Sequence, residues 1–364
     1  MLFTIQKDKL LHAISIIERV VGKKESLPVL SCVLLEGGKD FSVRATNLES
    51  GIQVVIPMEI KEKGMIAVPV VVFHQTLKSI IGEKVVLKVE GGNLLIESKG
   101  SKTLIKAIPH NEFPPLPNIE SKNGVDISRY SLLSALQSVV YAASPSMIRP
   151  ELGSVFISIH KERILCVATD SFRLAEKSIQ QKNPTEAEFL IPLKHVTELI
   201  HILERTPDEK VTLVSEESQF VLRGQGVEFT SRITDAQFPN YKEILPKVFS
   251  TEATLLKSDF SEMLRKARVF SGSEQRVGLH VYPKKKVFDA TAQSAAIGEM
   301  SDSIDAALTG DDVDINFNIG YLADGLSSIE SDSITLGFSG PGRPLVIRGA
   351  SDQSFTYLVM PLNR

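Results

Sequence analysis

The stretch SVFISIHKERILCVATD (residues 154–170) occurs in three related versions along the chain. The other two versions are SCVLLEGGKDFSVRATN (residues 31–47) and RVGLHVYPKKKVFDATA (residues 276–292). Each contains an Ala-Thr pair next to a strand-like apolar run, and successive pairs are about one third of the 364-residue chain apart. A repeat with this period predicts three copies of one folding unit.

Two further sets of matching residues keep the same period. One set is Pro69, Pro192 and Asn318, and the other is Pro114, Pro239 and Pro361. Because each set lies at a different distance downstream of the Ala-Thr pair, the three sets support the repeat independently. A unit of this length is too long for a solenoid repeat, so each copy is expected to be a domain with its own core.

Each copy predicts a mixture of helices and antiparallel strands. Apolar residues at helical spacing precede each version of the repeat, as in the segment from Leu10 to Val21. Later segments such as EKVVLKVEGGNLLIESKG (residues 83–100) alternate apolar and polar residues about a Gly turn, which is typical of hairpins. The sequence therefore predicts three α+β domains, each reading helix, strands, helix, strands, with boundaries at 1–121, 122–247 and 248–364.

Composition indicates a folded chain without a uniformly basic surface. Hydrophobic residues make up 43% and charged residues 23%, and the formal net charge is −3. A role on nucleic acid would therefore require positive charge to be segregated onto one face. Lys7 and Asp8 interrupt the apolar start of the chain, so we expect no secretion signal and a cytoplasmic protein. Cys32 and Cys166 lie in strand-like runs and are expected to be buried free thiols.

Catalytic motifs are missing from the sequence. Ser171 lacks the GxSxG pattern of a nucleophile elbow, and no GxxxxGK, HExxH or CxxC pattern is present. His195 and His201 are not at the spacing that places two metal ligands on one helix face. The segment ATDSFRLAE (residues 168–176) nevertheless combines an acid, a hydroxyl, an aromatic ring and a guanidinium. A hydrolase or transferase site around Asp170 and Ser171 therefore stays open as an alternative.

The triplication, ATDSFRLAE, FPNYKEILP (residues 238–246) and the terminal YLVMPLNR (residues 357–364) together resemble the bacterial DNA polymerase III beta subunit family, the beta sliding clamps. This resemblance covers the whole chain. It implies a DNA clamp fold: a ring-shaped homodimer of three-domain subunits, with antiparallel sheets outside and helices lining a hole that encloses double-stranded DNA. Such a processivity factor has no catalytic activity and needs no cofactor or metal, and it has no membrane role.

The resemblance also implies partners. A clamp tethers the catalytic subunit of the replicative polymerase, is opened by a clamp loader, and receives other polymerases and repair factors through a short linear motif. Contacts that permit sliding must be few and made to phosphates, because base readout would stall the ring. The positions that match DNA contacts of the family are Lys24, Ser146, Arg149 and Lys194. A clamp-like scaffold that serves DNA repair stays open as a further alternative.

The segment 169–174 implies a hydrophobic groove for partner peptides, shared with FPNYKEI and the tail. By position in the family, the apolar wall consists of Leu152, Thr169, Leu174, Pro239, Ile244, Leu358, Met360, Pro361 and Leu362. The polar and aromatic edge consists of Ser171, Phe172 and Arg173. Three features depart from the usual family pattern: Phe172 replaces His, Glu243 stands where some members have Arg, and the chain ends Asn363-Arg364. All three departures touch the edge of the groove, so we expect an altered peptide preference.

Overall fold

The structure is a computed structural model that describes residues 1–22, 27–117 and 124–362. The first repeat contains β1 (Leu2–Gln6), α1 (Lys7–Ile17), β2 (Cys32–Gly37), β3 (Phe41–Thr46), β4 (Ser50–Ile56), β5 (Gly64–Pro69), α2 (Val70–Ser79), β6 (Lys84–Glu90), β7 (Asn93–Ser98) and β8 (Ser101–Ile105). The second contains β9 (Val125–Ser128), α3 (Arg129–Val139), β10 (Ser154–His160), β11 (Arg163–Thr169), β12 (Arg173–Gln180), β13 (Ala187–Pro192), α4 (Leu193–Arg205), β14 (Lys210–Glu216), β15 (Gln219–Arg223) and β16 (Val227–Arg232). The third contains β17 (Thr251–Leu256), α5 (Lys257–Phe270), β18 (Arg276–Tyr282), β19 (Val287–Ser294), β20 (Gly298–Ser303), β21 (Ala306–Gly310), β22 (Val313–Asn318), α6 (Ile319–Leu326), β23 (Ser333–Phe338), β24 (Leu345–Gly349) and β25 (Phe355–Val359).

This order confirms the α+β fold class and the threefold repeat. One detail differs from the prediction: a short strand (β1, β9 or β17) precedes the first helix of each repeat. Pro69, Pro192 and Asn318 each end a strand directly before the second helix of their repeat, so they are equivalent in structure as well as in sequence. β21 belongs to the third repeat alone.

The chain divides into two compact units, and the second repeat contributes to both of them. One unit comprises residues 1–133 and 194–233, and the other comprises residues 134–193 together with those from 234 onward. The strands of the second repeat are therefore shared out: β9, β14, β15 and β16 join the first unit, and β10 to β13 join the second.

The first unit contains two antiparallel sheets. The larger has the strand order β5-β2-β3-β4-β16-β15-β14-β9, and the smaller has the order β1-β6-β7-β8. In the larger sheet β4 of the first repeat pairs with β16 of the second, with Gly51 opposite Thr230. The helices of this unit bury an apolar stripe on the sheets, as Leu10, Ile14 and Ile17 of α1 do.

The second unit repeats this arrangement. Its larger sheet has the order β13-β10-β11-β12-β25-β24-β23-β17-β21, and its smaller sheet has the order β20-β19-β18-β22. Here β12 of the second repeat pairs with β25 of the third, with Leu174 opposite Leu358. In α5, Phe260, Met263 and Leu264 are buried at the helical spacing that the sequence predicts.

Both cysteines are buried free thiols, as expected. Burial raises the pKa of the Cys32 thiol and raises the pKa of Cys166 to about 12, so neither is a ready nucleophile. Within the described ranges, no helix is both long and apolar enough to cross a membrane.

Candidate peptide groove and DNA-contact residues

An apolar cluster covers one face of the larger sheet in the second unit. Its buried members are Leu165, Val167, Leu174, Tyr241 and Leu358, and the side chains packed against them are Phe156, Phe238, Leu245 and Met360. The strand order explains why residues distant in sequence meet here, because β11, β12 and β25 are neighbours. Thr169 lies opposite Leu174, and Leu174 lies opposite Leu358.

The turn that follows β11 is fixed by its own side chains. The Asp170 carboxylate accepts hydrogen bonds from the backbone N–H groups of Phe172 and Arg173, each over 2.9 Å. The Thr169 hydroxyl donates to the Arg173 carbonyl over 2.7 Å. Ser171 adopts a φ of 77°, a left-handed conformation that favours Gly. The turn therefore holds the Phe172 ring in solvent, where it is 60% exposed.

Arg173 joins this turn to α6. Its guanidinium donates to Asp170 Oδ2 over 2.9 Å and to Asp324 Oδ2 over 2.5 Å. It also stands over the ring of Tyr321, 4.6 Å from the centroid. The ring centroids of Tyr321 and Phe172 are 6.4 Å apart, so two aromatic rings and a neutralised cation form this edge of the cluster.

The segment between β16 and β17 forms the opposite wall. The Phe238 ring stacks on Phe156, with 4.9 Å between ring centroids. The Tyr241 hydroxyl donates to Glu176 over 2.5 Å. Burial, assisted by that hydrogen bond and by the charge of Glu176, raises the pKa of Tyr241. Pro239 is half-buried in this wall, whereas the Ile244 side chain is 50% exposed and available for contact.

The end of the chain forms the third side. The Met360 N–H donates to the Phe172 carbonyl over 2.8 Å, and the Leu362 N–H donates to the Asn316 carbonyl over 2.8 Å. Met360, Pro361 and Leu362 are all half-buried. Asn363 and Arg364, the departures at the terminus, lie outside the described residues. Glu243, the departure in the linking segment, is exposed, and the Asn240 side-chain amide donates to its carboxylate over 2.6 Å.

Most of the predicted groove residues are thus close to one another. Leu174, Leu358 and Met360 belong to the cluster, and Leu152 is buried in the loop before β10. The sequence interpretation missed Phe156, Glu176, Phe238, Tyr241, Tyr321 and Asp324. Phe238 and Tyr241 could have been found, because both lie inside the FPNYKEILP segment that carried the resemblance.

The predicted DNA-contact residues lie in separate places. Ser146 and Arg149 are exposed in the loop before β10, where Arg149 pairs with Glu151 over 2.9 Å. Lys194 is exposed at the start of α4, with its ammonium 3.8 Å from Glu49. Lys24 lies outside the described residues. Other cations on helices are also exposed: Lys9, Lys78, Arg265, Lys266 and Arg268.

The side chains around Asp170 and Ser171 give little support to a hydrolase or transferase site. The Asp170 carboxylate already accepts from two backbone N–H groups and from Arg173. The Ser171 hydroxyl makes no hydrogen bond within the described part of the chain, so no base is placed to activate it. Among those same residues, no cluster of three or more His, Cys, Asp or Glu side chains could hold a metal ion.

Comparison with known protein families identifies all three repeats. Residues 1–117 match the N-terminal domain of the DNA polymerase III beta subunit, residues 126–240 match its central domain, and residues 242–363 match its C-terminal domain. Together the three matches span nearly the whole chain in the order that the family has.

Individual relatives agree with this assignment over their full length. The chain is 27% identical to the beta sliding clamp of Bacillus subtilis, covering 100% of this chain and 99% of that protein. Its fold matches the crystal structure of the DNA polymerase III beta subunit of Thermotoga maritima with a TM-score of 0.95 at 28% identity, covering 100% and 99% of the two chains. It matches the crystal structure of the Bacillus subtilis sliding clamp with a TM-score of 0.94 at 26% identity, again covering 100% and 99%.

Proteins of this kind are processivity factors and not catalytic enzymes, so the hydrolase or transferase alternative is not retained. The chain belongs to the DNA polymerase III beta subunit family and is a DNA sliding clamp.

Proposed function

We propose that two copies of this chain form a closed ring around double-stranded DNA in the cytoplasm, without sequence preference. The ring would tether the replicative polymerase, be opened by a clamp loader and receive other polymerases and repair factors. Within each subunit we place the domains at 1–121, 122–247 and 248–364. The observation that carries the ring is the way successive repeats join.

Successive repeats join through equivalent strands. The first joint pairs β4 with β16, and the second pairs β12 with β25. In each joint, the strand that follows the Ala-Thr strand of one repeat (β4 or β12) pairs with the last strand of the next repeat (β16 or β25). The equivalent strands that remain are β20, which follows the Ala-Thr strand of the third repeat, and β8, the last strand of the first repeat. Both lie at the edge of their sheets. An exposed strand edge is a template for pairing, so β20 of one subunit and β8 of another supply the joint that closes a head-to-tail dimer.

The repeat also specifies the register of this joint. Gly51 lies opposite Thr46 within its repeat, as Leu174 lies opposite Thr169. Ser301 lies opposite Thr291 in the same way, so Ser301 is the equivalent of Gly51 and Leu174.

The position on β8 that faces Ser301 follows from the strand pairings of the three repeats. The first strand of each repeat ends at an equivalent pair: Gln6 opposite Lys84, Ser128 opposite Lys210, and Leu256 opposite Ser333. From these positions, the same number of residues along the strand, followed by the pairings of the next two hairpins, leads to Leu104 on β8 in the first repeat. The same path leads to Thr230 in the second repeat and Leu358 in the third, so these three residues are equivalent. We therefore infer that Leu104 of one subunit lies opposite Ser301 of the other.

Charge supports this register. With Leu104 opposite Ser301 on antiparallel strands, Lys106 falls opposite Glu299. Both side chains are exposed in the single chain and carry opposite charges. Opposite charges on facing positions of neighbouring strands are favourable, by roughly 0.2–1 kcal/mol per pair.

Cysteine crosslinking tests the joint. A Leu104→Cys, Ser301→Cys double variant, treated with a short bis-maleimide, should give a covalent dimer, because the native thiols Cys32 and Cys166 are buried. Leu104→Cys combined with Lys286→Cys is a matched control with an exposed thiol in the turn before β19, and it should give no crosslinked dimer. A dimer that the Leu104→Cys single variant forms on its own would place first domains against each other and would refute the head-to-tail arrangement.

We further propose that the apolar cluster and its three sides bind short linear peptides of partner proteins. Leu152, Thr169, Leu174, Pro239, Ile244, Leu358, Met360, Pro361 and Leu362 would form the apolar wall, and Ser171, Phe172 and Arg173 the edge. The pairing of a buried aliphatic floor with half-buried Met360 supports this role, since flexible Met side chains adapt to different ligands. Affinity for one peptide should be roughly micromolar, with the ring multiplying its effect by tethering.

For DNA, we propose phosphate contacts from Lys24, Ser146, Arg149 and Lys194. The exposure of the last three supports this assignment. Replacing a single contact such as Arg149 by Ala should weaken DNA association about equally for all sequences and lower its salt dependence.

A further inference from the structure

A cavity of about 230 Å³ in the second unit shares none of its lining residues with the peptide groove. Its floor is formed by β17, β23 and β24. The lining residues are Phe249, Glu252, Thr335, Gly337, Val346, Arg348, Gly349, Ala350 and Gln353. Val346 lies opposite Leu358, so this cavity (the Arg348 cavity) neighbours the groove on the sheet.

Arg348 is the unusual member of this lining. Its Nε is shielded from solvent and has no hydrogen-bond partner among the residues that the structure describes. Nor does its guanidinium pair with any carboxylate within those residues, although Glu252 also lines the cavity. A shielded donor on a permanent cation is costly unless an anion accepts from it. Arg348 is thus a half-buried cation in the cavity lining without an anionic partner among the described residues, which points to a ligand that brings its own acceptor.

The other lining groups narrow the class of that ligand. Thr335 Oγ1 is 3.2 Å from Thr254 Oγ1, so one hydroxyl of the lining is already ordered for hydrogen bonding. The exposed carboxylate of Glu252 repels a dianion such as phosphate and attracts an ammonium group. The volume is below that of most drug-sized ligand pockets, so the ligand is small or is a single side chain.

We propose that the Arg348 cavity binds a carboxylate group, which the guanidinium fork receives in a bidentate pair. This carboxylate belongs either to a free α-amino acid, whose ammonium would face Glu252, or to an acidic side chain of a partner protein. The proposal goes beyond the clamp function and does not depend on it.

The test follows the Arg348 Nε–Hε signal by NMR on the full-length, nitrogen-15-labelled protein. Sodium glutamate should shift this signal saturably, with half-saturation on the order of millimolar. Arg348→Lys lacks this signal, so its binding is followed through the backbone N–H signals of Gly349 and Ala350 in the lining. It should bind glutamate at least about tenfold more weakly, because an ammonium lacks the planar fork. Arg343→Met, which removes an exposed arginine in the preceding turn, should leave the affinity unchanged.

Two comparisons decide the outcome. If sodium chloride at equal ionic strength, or inorganic phosphate, shifts the signal as much as glutamate, the cavity is not a carboxylate site and the proposal is wrong. A capped peptide with one Asp and no other charge separates the sources. If this peptide binds more tightly than glutamate, the carboxylate belongs to a partner's side chain; if it binds no more tightly, the carboxylate belongs to a free amino acid. None of these results bears on ring closure, which crosslinking at Leu104 and Ser301 tests separately.

Discussion

The hydroxyl of Tyr241 donates a hydrogen bond to Glu176 over 2.5 Å, and this contact fastens the segment that links the second and third repeats to β12. The Phe238 ring stacks on Phe156 nearby, so one polar contact and one aromatic stack hold this wall of the proposed groove. The wall is therefore positioned by side chains of the sheet that it covers.

Removing the Tyr241 hydroxyl should loosen that wall. Tyr241→Phe leaves the Glu176 carboxylate without this donor, and a hydrogen bond to a charged group contributes about 1.5–3 kcal/mol. We expect the free energy of unfolding to fall by about that amount and the affinity for a partner peptide to fall with it. Denaturant unfolding and fluorescence titration with a labelled peptide measure the two effects. A Glu176→Gln, Tyr241→Phe double variant should lose little more than either single variant, and full additivity would contradict the coupling.

The conformation of Ser171 predicts a stabilising substitution. At a φ of 77°, a side chain costs roughly 1 kcal/mol that Gly avoids. Ser171→Gly should therefore raise the free energy of unfolding by up to about 1 kcal/mol, whereas Ser171→Val should lower it. Thermal unfolding of the two variants checks the order, and a more stable Val variant would show that the turn carries no strain.

Acid should weaken the first unit through His195. Burial, with a further contribution from the charge of Lys194, lowers the pKa of His195 to about 4 from an ordinary value near 6.5. Between these two pKa values, the unfolded chain binds a proton at His195 and the folded chain does not. Stability is full above pH 6.5 and falls by about 3 kcal/mol as the pH decreases towards 4. A His195→Gln variant should lose less over this range, although it starts less stable because His195 Nδ1 is 2.8 Å from Ser231 Oγ.

Protonation of Glu198 has the opposite effect on the free energy of unfolding from protonation of His195, so Glu198 provides a control for the pH dependence. Burial raises the pKa of its carboxyl, so its protonation favours the folded chain as the pH decreases. A Glu198→Gln variant should therefore be more acid-sensitive than the parent, relative to its own stability at pH 7. If His195→Gln and Glu198→Gln changed the pH profile in the same direction, the assignment of these two groups would be wrong.

Removal of the chain's last residues should separate partner binding from ring formation. Deleting residues 360–364 removes the half-buried side chains Met360, Pro361 and Leu362, together with the contact between the Met360 N–H and the Phe172 carbonyl. It leaves the edges of β8 and β20 intact. We expect the dimer to form normally and the polymerase peptide to bind at least tenfold more weakly. Undiminished peptide binding would refute the groove assignment.

The repeat made much of this fold predictable. The Ala-Thr pairs lie on corresponding strands of the three repeats, β3, β11 and β19. Pro69, Pro192 and Asn318 each end the strand that precedes the second helix of their repeat. The initial strands were missed because a run such as LFTIQ (residues 2–6) is too short to stand out beside the apolar stripe of α1. The sharing of sheets between repeats could not be read from the sequence, since the pairing of β12 with β25 joins strands far apart along the chain.

The residues of the candidate site likewise fall into those that the sequence predicted and those that it could not predict. Leu174, Leu358 and Met360 were predicted by position within short motifs that resemble the family, and the structure brings them together in one apolar cluster. Asp324 and Tyr321 were not predicted, because they reach the edge of the proposed groove only through the packing of α6 near Arg173. No local pattern in the sequence marks a contact of that kind.

The solution mass at micromolar concentration, measured by light scattering, tests the central claim most directly. A closed two-subunit ring predicts a mass near twice the 40.0 kDa of the chain. It also predicts that Glu299→Lys shifts the equilibrium towards monomer and that adding Lys106→Glu restores the dimer. A stable species of 40.0 kDa at that concentration would contradict the ring.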